Sequence, residues 1–349
     1  MQAALFTRSK ARARGKLLWA ALLRACGILP LAKQWVRRQG VVVLTFHRVL
    51  TDDELARTAS LPGMVVRERT FEQFLDYAAG KCEFINFSQE PDWRSSPRLR
   101  LGITFDDGWS DNAGTAFPIA HRFGVPISIF IVTEKMDAAL PFWPERAASA
   151  MEQRPHGPHN IRHVERAIND LKGLTAEKRN QQIGLLATEQ YETAAAPHVD
   201  TTLTWKQIAQ LHSEGVEFGS HSMTHEILTA VPLAQAEQEI TGSRRRMEHE
   251  LGAPCRLFAY PNGDYSKEVS ELVARAGYQY AFLNQDPGVW TAGGNPHLVP
   301  RMNACEYHFV DSNGNFSPLI FDYAVIWSAA KGLMAQKIRD LLKKLGWKR

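Results

Sequence analysis

Seven short apolar runs, most of them separated by stretches of helical spacing, set the tightest limit on how this 349-residue chain folds. Residues 41–46 form a continuous β-branched run, and Leu101, Ile103 and Phe105 alternate with small or polar neighbours. The other runs are 127–132, 216–219, 256–260, 278–283 and 298–302. Between them lie helical patterns over 113–123, 205–213 behind a Thr204 cap, 233–251 and 266–276. Another opens at Thr70 and runs through Phe71, Phe74, Leu75 and Ala78. Strands that alternate with helices pair in parallel, so the chain is α/β with about seven parallel strands, as a barrel or an open sheet. In both, the chemistry gathers at the C-terminal strand ends. Residues 51–68 read as a loop. Residues 141–200 carry helical pattern and charge but little strand character, and read as a helical insertion opened by Phe142, Trp143 and Pro144.

The charge is unevenly placed. The net of +4 combines nine basic residues and no acid in 1–40 with seven basic residues against Asp340 in 331–349. The body between holds 25 basic and 36 acidic residues, a net of −11. A nucleic-acid binder carries its positive charge on the folded domain, so that class is set aside. Residues 17–23 are apolar, but Arg24 ends the run, which is too short to span a bilayer. No Ala-x-Ala cleavage signal follows, and Arg24 spoils a lipobox at Cys26. Residues 1–40 therefore read either as a basic amphipathic arm on an anionic membrane surface or as an arm docked on the protein or disordered. The tail 331–349 repeats the pattern, with Met334, Ile338, Leu341 and Leu345 at three- and four-residue spacing among lysines. The expectation is a cytoplasmic protein, peripheral at the inner membrane. Cys26, Cys82, Cys255 and Cys305 form no CxxC pair and read as buried thiols.

Two motifs carry chemistry. The run containing Leu101 passes straight into Asp106, Asp107 and Gly108. Adjacent carboxylates repel, so one shifts its pKa or both face a cation, unless they sit in a solvated turn with Asp111 or Asn112 capping the next helix. His221 and His225 come after the 216–219 run, four apart, as one helical turn would present them on one face. Two imidazoles and a carboxylate form a common catalytic site for a divalent ion, zinc first, with cobalt, nickel or manganese as alternatives. His156, His159 and His163 sit in the polar insertion without a strand end beneath them and read as a solvated face.

Together the stretches 104–108 (TFDDG), 221–225 (HSMTH) and, more loosely, 258–263 (FAYPNG) resemble the polysaccharide deacetylase family, with its NodB homology domain of the carbohydrate esterase family 4 type. The resemblance covers roughly 41–303. It implies a distorted (β/α) barrel, with the catalytic domain over 41–330, the arm 1–40 and the helix 331–349 outside it. It further implies Asp106 as general base and Asp107, His221 and His225 as metal ligands. The loop around Tyr260 and Asn262 would serve the oxyanion, and Trp109 either a sugar platform or the core. The sequence departs from the family in two places: Ala259 stands where many members carry an Arg that pairs with the base, and the late Leu-x-His is absent. His47 and Arg301, each at a strand end, are the candidates for those missing roles. The implied activity is hydrolysis of an acetyl or formyl group from an amino sugar in a cell-envelope or lipid-linked glycan. The alternatives are a non-catalytic glycan-binding module on the same fold, and a peptidoglycan or chitin deacetylase.

Overall fold

The computed structural model describes residues 10–89, 96–137, 142–152, 161–174, 176–186, 199–285 and 288–344. Its strands are β1 (Gly40–Phe46), β2 (Arg48–Leu50), β3 (Val65–Arg67), β4 (Cys82–Phe84), β5 (Leu99–Phe105) and β6 (Ser128–Ile131). They continue with β7 (Glu217–Ser220), β8 (Leu257–Ala259), β9 (Tyr280–Phe282), β10 (Val289–Thr291) and β11 (Met302–Asn303). The main sheet runs β10-β1-β5-β6-β7-β8-β9, parallel except at β10, with β4 paired to β5. The last segment closes the barrel, because Val299 pairs with Phe282 of β9 while Met302 pairs with Leu44 of β1. All seven runs read from the sequence lie in this sheet or bridge to it.

β1 and β5 are buried along their whole length, as strands covered on both faces must be. Phe46 and Phe105 are partners in register and stack at 5.3–5.9 Å with Phe71 of the Glu68–Ala79 helix and with Phe309. This apolar plug sits beneath the strand ends and fixes the heights of the next residues along each strand, His47 and Asp106.

Several sequence expectations need correction. Residues 51–68 are not all loop: they hold a helical turn over Asp52–Leu55 and β3, which pairs in parallel with β2 just before them, each too short to show a period. Asp111 and Asn112 cap no helix; a π-turn over Asn112–Ala116 leads into Phe117–Arg122. Cys26 is exposed, whereas the other cysteines are buried and all four are free. The 141–200 stretch contains the helices Trp143–Glu152, Ile161–Lys172 and Ala176–Leu186 around a small apolar cluster of their own. His156 and His159 lie outside the described residues, and His163 is exposed.

The described parts of both ends are helical. Lys10–Ala25 and Ile28–Gln39 meet at 79° across Gly27, whose φ of 75° a residue without Cβ adopts at no steric cost. Ala32 and Val36 reach the main core, as do Ala329, Ala330 and Leu333 at the start of Ser328–Lys344. Residues 10–40 are thus docked on the barrel, and the tail helix is anchored at its base. No single helix among the described residues is long and apolar enough to cross a membrane.

Candidate active site

The site forms where β1, β5, β7 and β8 end. Asp107 and Gly108 both take left-handed backbone angles, φ 74° and 71°. For Asp107 that conformation costs about 1–3 kcal/mol and persists only because the surroundings enforce it. A Cβ on Gly108 would meet Ile131 Cγ2 at 2.9 Å, so glycine is required there for space as well as for angle. The double left-handed step splays the two acids, and the repulsion expected between them is resolved by giving each its own partners.

Asp107 faces the histidines. Its Oδ1 lies 3.7 Å from His221 Nε2 and 3.4 Å from His225 Nε2, and the three ligand atoms fall within 4.8 Å of one another. Oδ2 accepts a hydrogen bond from Trp109 Nε1 at 3.2 Å. His221 Nδ1 donates to the Ala259 carbonyl at 2.8 Å, leaving the Nε2 lone pair free toward the site. Burial pushes both imidazoles down to about 4, so they are neutral near pH 7, the form in which imidazole ligates a metal. A carboxylate and two neutral imidazoles with converging atoms fit a divalent ion.

His221 and His225 do not share a helical turn. They sit on a loop after β7 in which Ser222 and His225 have φ of 67° and 68°. Glu239, buried on the Leu233–Leu251 helix, accepts from the backbone N–H groups of Met223 and Thr224 at 2.8 and 2.9 Å and from Thr224 Oγ1 at 2.6 Å. Ser222 Oγ accepts from His225 N at 3.0 Å. The sequence reading missed Glu239; its one visible trace is an acid on the buried face of an otherwise solvated helix.

Asp106 faces the other way. Arg301 Nη1 and Nη2 each donate to one of its oxygens at 2.7 Å, a bidentate pair with both side chains buried. Thr104 Oγ1 and the Leu283 carbonyl hold the guanidinium at 3.1 and 3.0 Å. Burial raises the Asp106 pKa, but the Arg301 charge, and then His221, override it and hold the acid at about 2, below its ordinary 3.8. Arg301 is thus the cation that pairs with Asp106, while residue 259 is an alanine.

His47 is half-buried after β1, its carbonyl accepting from Asn112 Nδ2 at 2.9 Å and its Nδ1 buried without a partner. His47, Asp106, Asp107, His221 and His225 line one cleft of about 300 Å³ with Asn262 at its exposed edge. Asn262 Oδ1 accepts from Lys172 Nζ at 2.9 Å. Two substrate candidates fall outside the cleft. Tyr260 is fully buried and donates to the His297 carbonyl at 3.0 Å. Trp109 is equally buried, packed by Phe142 and covered by the Arg48 guanidinium at 4.4 Å, so it positions Asp107 and offers no face to a sugar.

The model of the family described as polysaccharide deacetylase matches residues 94–281, more than half the chain. The chain belongs to the polysaccharide deacetylase family. It is similar to YxkH of Bacillus subtilis (strain 168), a putative polysaccharide deacetylase, at 19% identity over 53% of this chain and 44% of that protein. The match thus spans under half the length of that curated relative. Among solved structures, the putative polysaccharide deacetylase BA0330 from Bacillus anthracis aligns with a TM-score of 0.55 at 16% identity, covering 82% of this chain and 69% of its own. The Streptococcus pyogenes deacetylase PplD in complex with acetate gives 0.52 at 16%, covering 79% and 96%. IcaB from Ammonifex degensii gives 0.52 at 16%, covering 83% and 97%. At these identities the structural likeness shows the fold, a NodB-like (β/α) barrel.

Proposed function

We propose that the protein is a metal-dependent hydrolase that removes an N-acyl group, acetyl or formyl, from an amino sugar of a cell-envelope or lipid-linked glycan. The observation that carries this is the division of labour between neighbouring acids, Asp107 with two neutral histidines and Asp106 apart with Arg301. Asp107, His221 and His225 would hold a divalent ion, which when bound would supply polarisation of the amide carbonyl and a more acidic water. Asp106 takes the proton of the attacking water, and Arg301 keeps it ionised and aimed for that step. His47, in the same cleft, gives a proton to the departing amine. A glycan-binding module has no use for a buried, arginine-held base; of the two departures that favoured that reading, the Arg301–Asp106 pair answers the missing arginine, while the absent Leu-x-His still stands.

The same reading places the protein on an anionic membrane surface. Of the twelve large apolar side chains exposed among the described residues, nine lie on the three terminal helices, including Leu18, Trp19, Leu31, Met334, Ile338 and Leu341. Exposed Arg14, Arg24, Arg38, Lys331, Lys343 and Lys344 stand among them. Leu345 lies outside the described residues. Lys337 Nζ bridges the first and last parts of the chain through Gln39 Oε1 at 2.8 Å. Apolar side chains in a basic surround suit the headgroup region.

The test is release of free amine and carboxylic acid by metal-loaded protein from N-acetylated and N-formylated amino sugars, free, lipid-linked, or as chitin and peptidoglycan fragments. Equimolar release, lost on chelation and restored by metal, is expected. Glycan binding without release from any of them supports the module instead.

A further inference from the structure

One carboxyl in the cleft has no part in the chemistry above. Glu145, in the first turn of the Trp143–Glu152 helix, is only 2% exposed and lines the cleft beside Asp107 and His225. Its Oε1 accepts a hydrogen bond from Ser60 Oγ at 3.2 Å, whereas Oε2 is buried with no partner.

The surroundings explain how such a group is tolerated. Arg48, fully buried, donates from Nε to Asp111 at 2.9 Å and from Nη1 to Asp200 and to Ser60 Oγ. Its one positive charge is met by two carboxylates, and Glu145 is joined to them through the Ser60 hydroxyl between. Burial, followed by the charges of Asp200 and Asp107, pushes Glu145 up to about 8. A neutral carboxyl is the form that survives there, but an unpaired buried oxygen still costs about 1–3 kcal/mol. The insertion is clasped in place from both sides: Arg179 pairs with Glu226 at 3.1 Å and lies 4.7 Å over Trp143, and Lys172 bonds Asn262 at 2.9 Å. The fold thus leaves one buried carboxyl oxygen unsatisfied on a residue that lines a cleft that would receive a sugar.

We infer that Glu145 is a substrate-binding residue whose free oxygen takes a ring hydroxyl of the amino sugar undergoing deacylation. The inference rests on the deacetylase reading and narrows it, because the substrate must present a free hydroxyl on the side facing the insertion. Either protonation state serves, since a hydroxyl donates to a carboxylate and accepts from an acid.

The test is a cycle between protein and substrate in the metal-loaded full chain, using N-acetylglucosamine derivatives deoxygenated singly at positions 3, 4 and 6. Glu145→Leu is expected to lower kcat/KM for the full sugar by about 10–100-fold, chiefly through KM, as a site built for a hydroxyl penalises its loss. Glu145→Gln, which keeps a hydrogen-bonding oxygen, stays within a few-fold of wild type. One deoxy sugar should lose as much with wild type and lose nothing further with Glu145→Leu, the signature of a shared contact. Metal stoichiometry stays unchanged throughout. Additive losses for every analogue, or Glu145→Leu equal to wild type, overturn the inference. If Glu145→Leu fails to fold, Glu145→Asp, which withdraws the carboxyl by one methylene, decides by the same criterion. If the wild type turns over no N-acyl sugar, the deacetylase reading falls, and the deoxy series read as binding affinity still decides the role of Glu145.

Discussion

Replacing Arg301 by Met keeps much of the side-chain volume and removes the charge that faces Asp106. The pair is joined by two 2.7 Å bonds, with Arg301 fully buried and Asp106 3% exposed, so water cannot take the arginine's place. Breaking a buried ion pair by removing one partner costs about 3–5 kcal/mol. At roughly 2 °C per kcal/mol for a chain of this size, the melting temperature should fall by ~8 °C at pH 7. The pH dependence has a definite sign. Asp106 is held at about 2 against an ordinary 3.8, so the pair's contribution is fully present above the ordinary value and fades as pH falls through about 2. The gap between wild type and Arg301→Met should therefore be widest near neutrality and narrow between pH 4 and pH 2. Without its partner the buried acid rises, moving the acid limb of the pH–rate profile upward. Arg301→Lys should recover part of the stability, since it keeps the charge but not the two-pronged geometry. Calorimetry of the three proteins across pH provides the readout. Equal melting temperatures at pH 7, or a gap that stays constant down to pH 2, would refute the reasoning.

Two further outcomes are expected. Single alanine substitutions of Asp107, His221 and His225 should each abolish stoichiometric binding of zinc or cobalt in titration and elemental analysis; full affinity in all three would remove the metal assignment. The full-length protein should co-sediment with anionic vesicles at low salt and progressively less as salt rises, since each basic residue near the surface contributes about 1 kcal/mol under weak screening. Serine at Trp19, Leu22 and Ile338 together should weaken that binding with little change in melting temperature, because these side chains are exposed. Salt-independent or absent binding by the unaltered protein contradicts the membrane reading.

The strands and the residues at their ends were legible because they are local: an apolar run says strand, and the residues just after it sit at a strand end. The strand-end positions of Asp106, Asp107, His221 and His225 came from that rule, and their roles from motif spacing and the family resemblance. Contacts that join distant segments were less so. His47 and Arg301 could be named as candidates, but only the closure of the barrel through Val299 and Met302 sets Arg301 against Asp106, 195 residues away. The helical turn expected for His221 and His225 gave way to a loop because Glu239 satisfies the backbone N–H groups that a helix would otherwise use. Trp109 and Tyr260 went to the core, and an aromatic beside a motif looks the same in sequence whether it faces a sugar or the interior. The basic ends hid their anchoring because Leu29, Ala32 and Val36, like Ala329 and Leu333, recur at a spacing that an amphipathic helix on a membrane and a helix docked on the barrel share.

The most direct measurement of the central claim uses Asp106→Asn, which keeps the shape of the base and removes its basicity. Metal-loaded wild type and mutant would be given the same N-acetylated amino sugar, with released amine, bound metal and substrate affinity measured on one preparation. The account predicts unchanged metal stoichiometry, substrate binding within a few-fold, and turnover lower by about 10²–10⁴. Turnover by the mutant equal to that of wild type would contradict it.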